Sequence, residues 1–236
     1  MVNNNLTDKA LQKVSELINI QATQTLRAPF EQVQELVRGT RILRRIASSS
    51  DREQLEDYLV EVRYVLAFVG LGFQVEVEPT GKKGPDARVS REDHSAILEI
   101  KRFRKMYPGP PVLDLSVESS VLPKYGNPPR DIQKSFEKIL AKFKQVGDEE
   151  AIIAIWNDDE DLEELEVEAA VTNIRRNASQ GVLSLPSGLL FVLYGSEWVR
   201  AGNHKQLSCF PLRCLGQPHQ LAWQRELEVF TVGELV

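Results

Sequence analysis

The sequence predicts an α/β fold, because helical and strand-like patterns alternate along the chain. Helical periodicity occurs before the first strand pattern, again at residues 130–146, and once more after residue 158. Between the helices lie short segments that alternate apolar and polar residues, as strands with one buried face do. A continuous apolar run at residues 151–156 suits a central strand covered on both faces, and residues 189–194 form a last strong strand.

Composition sets the class of protein without indicating a function. The formal net charge of −5 provides no global positive field for nucleic acid, so any contact with a polyanion depends on a local patch. Cys209 and Cys214 are too few for a disulfide framework or a zinc site. The sequence has neither an uncharged run that would span a membrane nor a secretory signal, so the expected compartment is the cytoplasm.

Residues 1–50 are predicted to form two helices. The first is expected at about residues 6–21, where apolar residues follow one helical stripe. The second is expected at about residues 29–46, and its first residue is a proline, which is tolerated in the first turn. Ser50 and Glu53 then have the spacing of a capping box, which predicts the start of a third helix.

The third helix, predicted at residues 53–71, carries one acidic residue in an unusual position. At about 100° per residue, Glu61 falls at the edge of the apolar stripe, whereas the other acidic residues of this helix turn toward solvent. Glu61 is therefore the carboxylate best placed to face a sheet. The alternative is an ordinary flanking residue that pairs with Arg63 or Arg102.

The most informative pattern connects Asp86 with a strand that ends in Glu99-Ile100-Lys101. Because strand side chains alternate faces, Glu99 and Lys101 are expected to point the same way. A turn-like segment at residues 81–84 precedes Asp86, which joins the other two side chains if the strands pair as a hairpin. Two carboxylates and a lysine around one point are what metal-assisted phosphodiester cleavage requires.

This arrangement resembles the PD-(D/E)XK, or restriction-endonuclease-like, nuclease superfamily. The matching residues are Pro85, Asp86, Glu99 and Lys101. The superfamily also places a glutamate, here Glu61, on a helix that precedes a Gly-aromatic step into the first strand. The strong part of the resemblance covers roughly residues 51–102.

The resemblance implies a restriction-endonuclease-like core at residues 51–157, in which a mixed β-sheet is flanked by helices. The flanking helices would be those predicted at residues 53–71 and 130–146. Residues 1–50 would form an N-terminal helical extension, and residues 158–236 would add a C-terminal helix and strands that pack on the core.

The resemblance also implies a metal-dependent endonuclease that hydrolyses phosphodiester bonds in DNA, with Mg²⁺ or Mn²⁺ as its cofactor. Asp86 and Glu99 would be ligands of the cation, and the main-chain carbonyl of Ile100 would be a third. Lys101 would lie beside the attacking water, and Glu61 would hold a water of the cation or bind a second cation. RNA stays open as a substrate. The alternative is a catalytically inactive nuclease-fold module that binds nucleic acid or a protein partner.

Contacts to nucleic acid are expected on two helices. Lys142 and Gln145 lie on the helix after the Glu-x-Lys strand, where members of this superfamily often carry polar residues. Arg38, Arg41 and Arg45 are predicted to share one face of the second helix, where guanidinium groups would clamp phosphates. In both cases the alternative is a solvated helix face. Many such enzymes dimerise, and the N-terminal helices would serve that role in a homodimer.

The remaining segments have weaker patterns. Residues 107–129 hold six prolines, so no regular element is expected there, and a loop of this length is usually functional or disordered. An acidic stretch at residues 158–168 leads into a helix that is expected to end near Asn177. Weaker strands are expected near residues 207–212 and 227–232.

Overall fold

The computed structural model describes residues 4–18, 21–81, 84–92, 94–103, 128–143, 149–157, 164–196, 205–206, 208–211 and 231–232. The helices in these segments are α1 (Asn4–Leu17), α2 (Gln21–Glu35), α3 (Thr40–Ala47), α4 (Arg52–Gly70), α5 (Pro128–Phe143) and α6 (Glu164–Ser179). The strands are β1 (Gln74–Val77), β2 (Ala87–Arg91), β3 (His94–Phe103), β4 (Ala151–Asn157), β5 (Leu189–Ser196), β6 (Lys205–Gln206), β7 (Ser208–Pro211) and β8 (Thr231–Val232). Within the same segments, no helix combines the length and the apolar character that crossing a membrane requires.

Six of these strands form one mixed sheet in the order β1-β2-β3-β4-β5-β7. β1, β2 and β3 pair antiparallel, whereas β3, β4 and β5 pair parallel. β7 pairs antiparallel with β5 at the far edge, and the short strands β6 and β8 form a separate pair. A mixed sheet whose parallel strands are connected through helices confirms the α/β class.

Helices cover both faces of the sheet, as the alternate residues of β4 show. Ile152 and Trp156 belong to a hydrophobic cluster with helices α1 to α4. Ile153 and Ile155 belong to a second cluster with α5 and α6. The prediction that this strand is covered on both faces is therefore confirmed. The described part of the chain has three layers, in which the sheet lies between two layers of helices.

The single helix predicted at residues 29–46 is wrong, because the chain forms the end of α2 and then α3 with a break at residues 36–39. Arg38 has a φ of 60°, which lies outside the right-handed helical region. Beside it, the carbonyl of Val37 accepts a hydrogen bond from the N–H of Val77 in β1 at 3.0 Å. A contact with a distant strand therefore sets the break, and helical periodicity does not report such a contact.

The other N-terminal boundaries differ from the predicted ones by a few residues. Pro29 lies inside α2 and not in a first turn, and the first helix begins and ends earlier than expected. The cap of α4 is Asp51, whose carboxylate accepts the N–H of Gln54 at 2.9 Å. The N–H of Ser50 donates to the Gln54 side chain, also at 2.9 Å. The capping box predicted from Ser50 and Glu53 is thus shifted by one residue.

Helix α4 is buried over a wider face than its predicted apolar stripe. Tyr64 and Phe68 are fully buried on it. The Tyr64 hydroxyl donates a hydrogen bond to the carbonyl of Ile155 at 2.5 Å, which joins the helix to the central strand. Because α4 contacts α2 and α3 as well as β1 and β3, it is enclosed between the N-terminal helices and the sheet.

The later elements agree with the predicted ones except at their ends. α5 begins at Pro128, so the last two prolines of the Pro-rich segment form its first turn. The rest of that segment, and the first part of the predicted acidic stretch, lie outside the described residues. α6 continues past Asn177 to Ser179. The predicted domain boundaries stay a prediction, although α1 to α3 share a hydrophobic cluster with α4 and the sheet.

Gly39, in the break between α2 and α3, provides a test of this packing. A Cβ atom at Gly39 would lie 1.7 Å from the main-chain oxygen of Val33. We expect Gly39→Ala to lower the free energy of unfolding by about 1–3 kcal/mol, the usual cost of overpacking. Gly70→Ala is the matched control, because nothing lies within 4 Å of a Cβ atom there. Urea unfolding measures both variants, and equal midpoints would contradict the expectation.

Candidate functional site

The hairpin of β2 and β3 brings Asp86 opposite Glu99. The last residues that pair across this hairpin are Ala87 and Leu98, so Asp86 lies one position beyond the pairing, across from Glu99. From Glu99 to Phe103, β3 continues as a partner of β4 alone. The candidate site therefore forms where two strands of the sheet stop pairing.

The carboxylate of Asp86 takes the place of a strand partner at this point. Its Oδ2 accepts the main-chain N–H of Ile100 at 2.7 Å. The N–H and C=O of one strand residue project toward the same neighbouring strand. The Ile100 carbonyl therefore lies on the same side of β3 as Asp86, away from β4. This side of β3 offers a main-chain oxygen next to a carboxylate.

Glu99 and Lys101 lie on the same face of β3, which confirms the predicted alternation. Lys101 Nζ is 3.0 Å from Glu99 Oε1. Leu98 and Ile100 point the other way, into the cluster that contains α4. Glu99 is only 4% exposed, whereas the side chain of Lys101 is 37% exposed. Solvent therefore reaches this part of β3 at the Lys101 side chain, and the Glu99 carboxylate lies buried beside it.

Four side chains, Glu61, Asp86, Glu99 and Lys101, make up what we call the carboxylate site. Burial and the charge of Glu99 raise the pKa of Asp86 to about 6, against the opposing effects of Lys101 and Arg45. Burial and the charge of Asp86 raise the pKa of Glu61 to about 8, and Arg45 and Lys101 again oppose the increase. Asp86 is therefore repelled by Glu99 and by Glu61 in a partly desolvated place, and a bound cation would relieve that repulsion.

Glu61 is held by an arginine that the sequence did not identify as its partner. Both terminal nitrogens of the Arg45 guanidinium reach its carboxylate, Nη1 at 3.3 Å from Oε1 and Nη2 against Oε2. The partners considered from the sequence have other contacts. Arg63 lies over the ring of Trp156 at 4.1 Å, and Arg102 pairs with glutamate and aspartate side chains of α4. Glu61 is buried, as its position at the edge of the apolar stripe predicts, but both of its carboxylate oxygens contact Arg45.

The three predicted phosphate-binding arginines do not share a helix face. Arg38 lies in the break, whereas Arg41 and Arg45 are on α3, so the predicted common face is wrong for Arg38. All three contact Glu78, just after β1. Arg38 and Arg41 donate to its carbonyl at 3.2 and 2.9 Å, and Arg45 Nε lies 3.3 Å from its carboxylate.

Glu78 is the residue of this region that sequence reasoning missed. It is buried and has a φ of 46°, which is unusual for a glutamate. Its position after an alternating strand and before a proline and a glycine was a signal for a turn, but not for a buried carboxylate. The burial depends on three arginines that come more than thirty residues earlier.

The structure gives less information on the predicted nucleic-acid contacts Lys142 and Gln145 and on the predicted metal ligands. Lys142 lies in the last turn of α5, but its side chain, like all of Gln145, lies outside the described residues. Among the residues that the structure describes, no group of three or more His, Cys, Asp or Glu side chains is arranged to hold a metal ion. Cation binding at this site would therefore depend on Asp86 and Glu99 together with main-chain oxygen and water.

Comparison with known proteins gives no relative for this chain. No protein-family model, no curated protein and no solved structure matches it. Any function proposed for the carboxylate site therefore depends on the chemistry of its own side chains and on the resemblance of its motif.

Proposed function

We propose that this chain is a divalent-metal-dependent endonuclease of the PD-(D/E)XK type, which hydrolyses phosphodiester bonds in DNA. One observation carries the proposal: Asp86, Glu99 and Lys101 come together at the point where β2 and β3 stop pairing. Carboxylates that are buried beside one another destabilise a fold, so such a pair is typical of a functional site. Binding a cation that also contacts a phosphate is one such function.

The donor set suits Mg²⁺ or Mn²⁺. Magnesium prefers oxygen ligands, keeps several of its waters, and is usually bound through one or two carboxylates. Asp86 and Glu99 supply two carboxylates, and the carbonyl of Ile100 supplies a neutral oxygen on the same side of β3 as Asp86. A set of two carboxylates needs no third acidic ligand, so it agrees with the absence of a larger group among the described residues.

The residues of the site have separate tasks in this proposal. When bound, a divalent cation supplies positive charge to the phosphate and lowers the pKa of the attacking water. Asp86 is oriented by the N–H of Ile100, which fixes one oxygen and leaves the other for a ligand. Lys101 pairs with Glu99 and is partly exposed, so its ammonium group would lie beside a bound phosphate and would stabilise the negative charge that grows there.

The order of elements around the site supports the finer fold assignment. α4 precedes β1, β2 and β3, and α5 leads on to β4, which pairs parallel with β3. This is the sequence of helix, antiparallel strands, helix and strand that the resemblance implies for residues 51–157. We therefore include a restriction-endonuclease-like core in the proposal.

The second candidate is a catalytically inactive nuclease-fold module that binds nucleic acid or a protein partner. Arg45 favours it, because its guanidinium engages both oxygens of Glu61. While that ion pair is intact, the positive charge of Arg45 opposes the binding of a cation at Glu61. Direct cation binding by Glu61 is therefore favoured only when Arg45 moves toward another anion.

Metal-dependent cleavage distinguishes the two candidates. We expect plasmid DNA to be cut with Mg²⁺ or Mn²⁺ and not with chelator. Asp86→Asn should lower the rate by about 10²-fold or more, because a neutral amide is a poor cation ligand. The amide oxygen still accepts from Ile100, so the fold is kept. Glu149→Gln, which changes an exposed carboxylate paired with Arg88 at 2.7 Å, is the control. Undiminished cleavage by Asp86→Asn would rule out the assigned site.

The pKa values predict how stability depends on pH without a divalent cation. The folded values of about 6 for Asp86 and about 8 for Glu61 lie above their ordinary values of 3.8 and 4.5. The folded state therefore holds these protons more tightly, and this contribution to stability is lost as pH rises from about 4 toward 8. Asp86→Asn should lessen this loss of stability at higher pH, because the amide has no proton to release. Thermal midpoints between about pH 5 and pH 8, with and without Mg²⁺, test this. A midpoint that Mg²⁺ does not raise at the higher pH would count against cation binding.

Lys101 separates a catalytic role from mere binding. Lys101→Met keeps the length and the apolar stem of the side chain and removes only the charge. If Lys101 acts on the transition state, the single-turnover rate should fall by orders of magnitude while affinity for DNA changes little. Weaker affinity, with a salt slope reduced by about one ion, would indicate a phosphate clamp instead. A normal rate would defeat the catalytic assignment of this residue.

A further inference from the structure

A cleft of about 440 Å³ opens next to the carboxylate site. We call it the arginine cleft, and it is lined by Arg41, Arg44, Arg45, Ser48, Glu78 and Gly81. Its volume lies within the range of about 300–1,000 Å³ that is typical of ligand sites. Three of its six lining residues are arginines, so the charge of the cleft suits a small anionic group.

The charges around the arginine cleft are not balanced. Three guanidinium groups and one carboxylate, Glu78, line the cleft. Glu78 pairs with Arg41 and Arg45, and Arg45 also holds Glu61. The Arg44 side chain is exposed and has no hydrogen-bond or ion-pair partner among the described residues. The buried Nε of Arg45 lies 3.3 Å from the Glu78 carboxylate but makes no hydrogen bond within the described part of the chain. The local excess of positive charge occurs in a chain whose net charge is −5.

Arg45 connects this cleft to the carboxylate site. It lines the cleft and also holds Glu61, and Glu61 interacts electrostatically with Asp86 and Lys101. An anion in the cleft would attract Arg45, which holds Glu61, and a cation at Asp86 and Glu99 would relieve the repulsion between Asp86 and Glu61. The arrangement suits a charged strand that passes from one to the other.

We propose that the arginine cleft binds one phosphate group of the nucleic acid strand whose scissile bond reaches Asp86 and Glu99. This inference rests on the proposed nuclease function and adds the position of a second phosphate. Arg44, which has no partner among the described residues, supplies a guanidinium fork that can bind two phosphate oxygens at once. Arg45 then divides its donors between that phosphate and Glu61, so an occupied cleft loosens the ion pair that restrains Glu61.

The same chemistry fits a backbone phosphodiester, a terminal phosphate or free phosphate, and the test separates them. The full chain is studied in chelator, so that binding is measured without cleavage. Fluorescence anisotropy reports the affinity for a labelled single DNA strand that carries a 5′-phosphate, a 3′-phosphate or neither, at two salt concentrations. Arg44→Gln removes a guanidinium from the cleft. Arg175→Gln, at an exposed arginine of α6, is the matched control.

We expect Arg44→Gln to weaken binding about tenfold or more, as loss of a charge-assisted hydrogen bond does. The salt slope should fall by about one ion. An equal loss for all three strands identifies a backbone phosphodiester, and a loss confined to one phosphorylated strand identifies that terminal phosphate. If inorganic phosphate displaces the labelled strand from the unsubstituted chain but not from Arg44→Gln, the cleft also binds the free ion. Equal affinities for Arg44→Gln and Arg175→Gln would overturn the proposal.

Failure of this inference is distinguishable from failure of the nuclease function. If binding depends on Arg44 but the chain does not cleave DNA with Mg²⁺, the proposed phosphate site is retained and the proposed nuclease activity is rejected. If cleavage depends on Asp86 but binding does not depend on Arg44, the proposed nuclease activity is retained and the proposed phosphate site is rejected. Thermal midpoints of both arginine variants check that they fold as the unsubstituted chain does.

Discussion

The guanidinium of Arg45 is shared by two buried carboxylates, and the geometry of the whole region depends on that sharing. Glu61 comes from α4 and Glu78 from the end of β1, and neither is tolerable in a desolvated place without a cation nearby. One side chain on α3 therefore ties a helix to a strand end. This requires α3 to lie against both, which in turn requires the preceding helix to stop and turn back at the break.

The second constraint is a difference in length between neighbouring strands. β3 has ten residues and β2 has five, so the later part of β3 has no antiparallel partner. A main-chain N–H left open there needs an acceptor, and Asp86 provides it for Ile100. The same geometry leaves a carbonyl, two carboxylates and an ammonium group around one opening. The chemistry proposed for the site is thus a consequence of where the hairpin ends.

What could be predicted from the sequence follows from how local each feature is. The alternation of Glu99 and Lys101 and their hairpin partner Asp86 depend on strand geometry over a few residues, and these were correctly anticipated. The break at Arg38 was not, because a hydrogen bond to Val77 sets it and the positive φ falls on a residue without the usual glycine signal. Glu78 was missed for the same reason, since its burial depends on arginines distant in sequence. The roles assigned to Lys142 and Gln145 stay predictions.

The break between α2 and α3 also affects how the sheet meets other molecules. β1 is an edge strand, and edge strands offer unpaired main-chain groups to a second chain. Here Val37 bridges to Glu76 and accepts the N–H of Val77, and Arg38 pairs with the Glu76 side chain at 3.2 Å. The segment that positions the arginines thereby occupies the outer edge of β1 at Glu76 and Val77. A second chain that added a strand there would have to displace it.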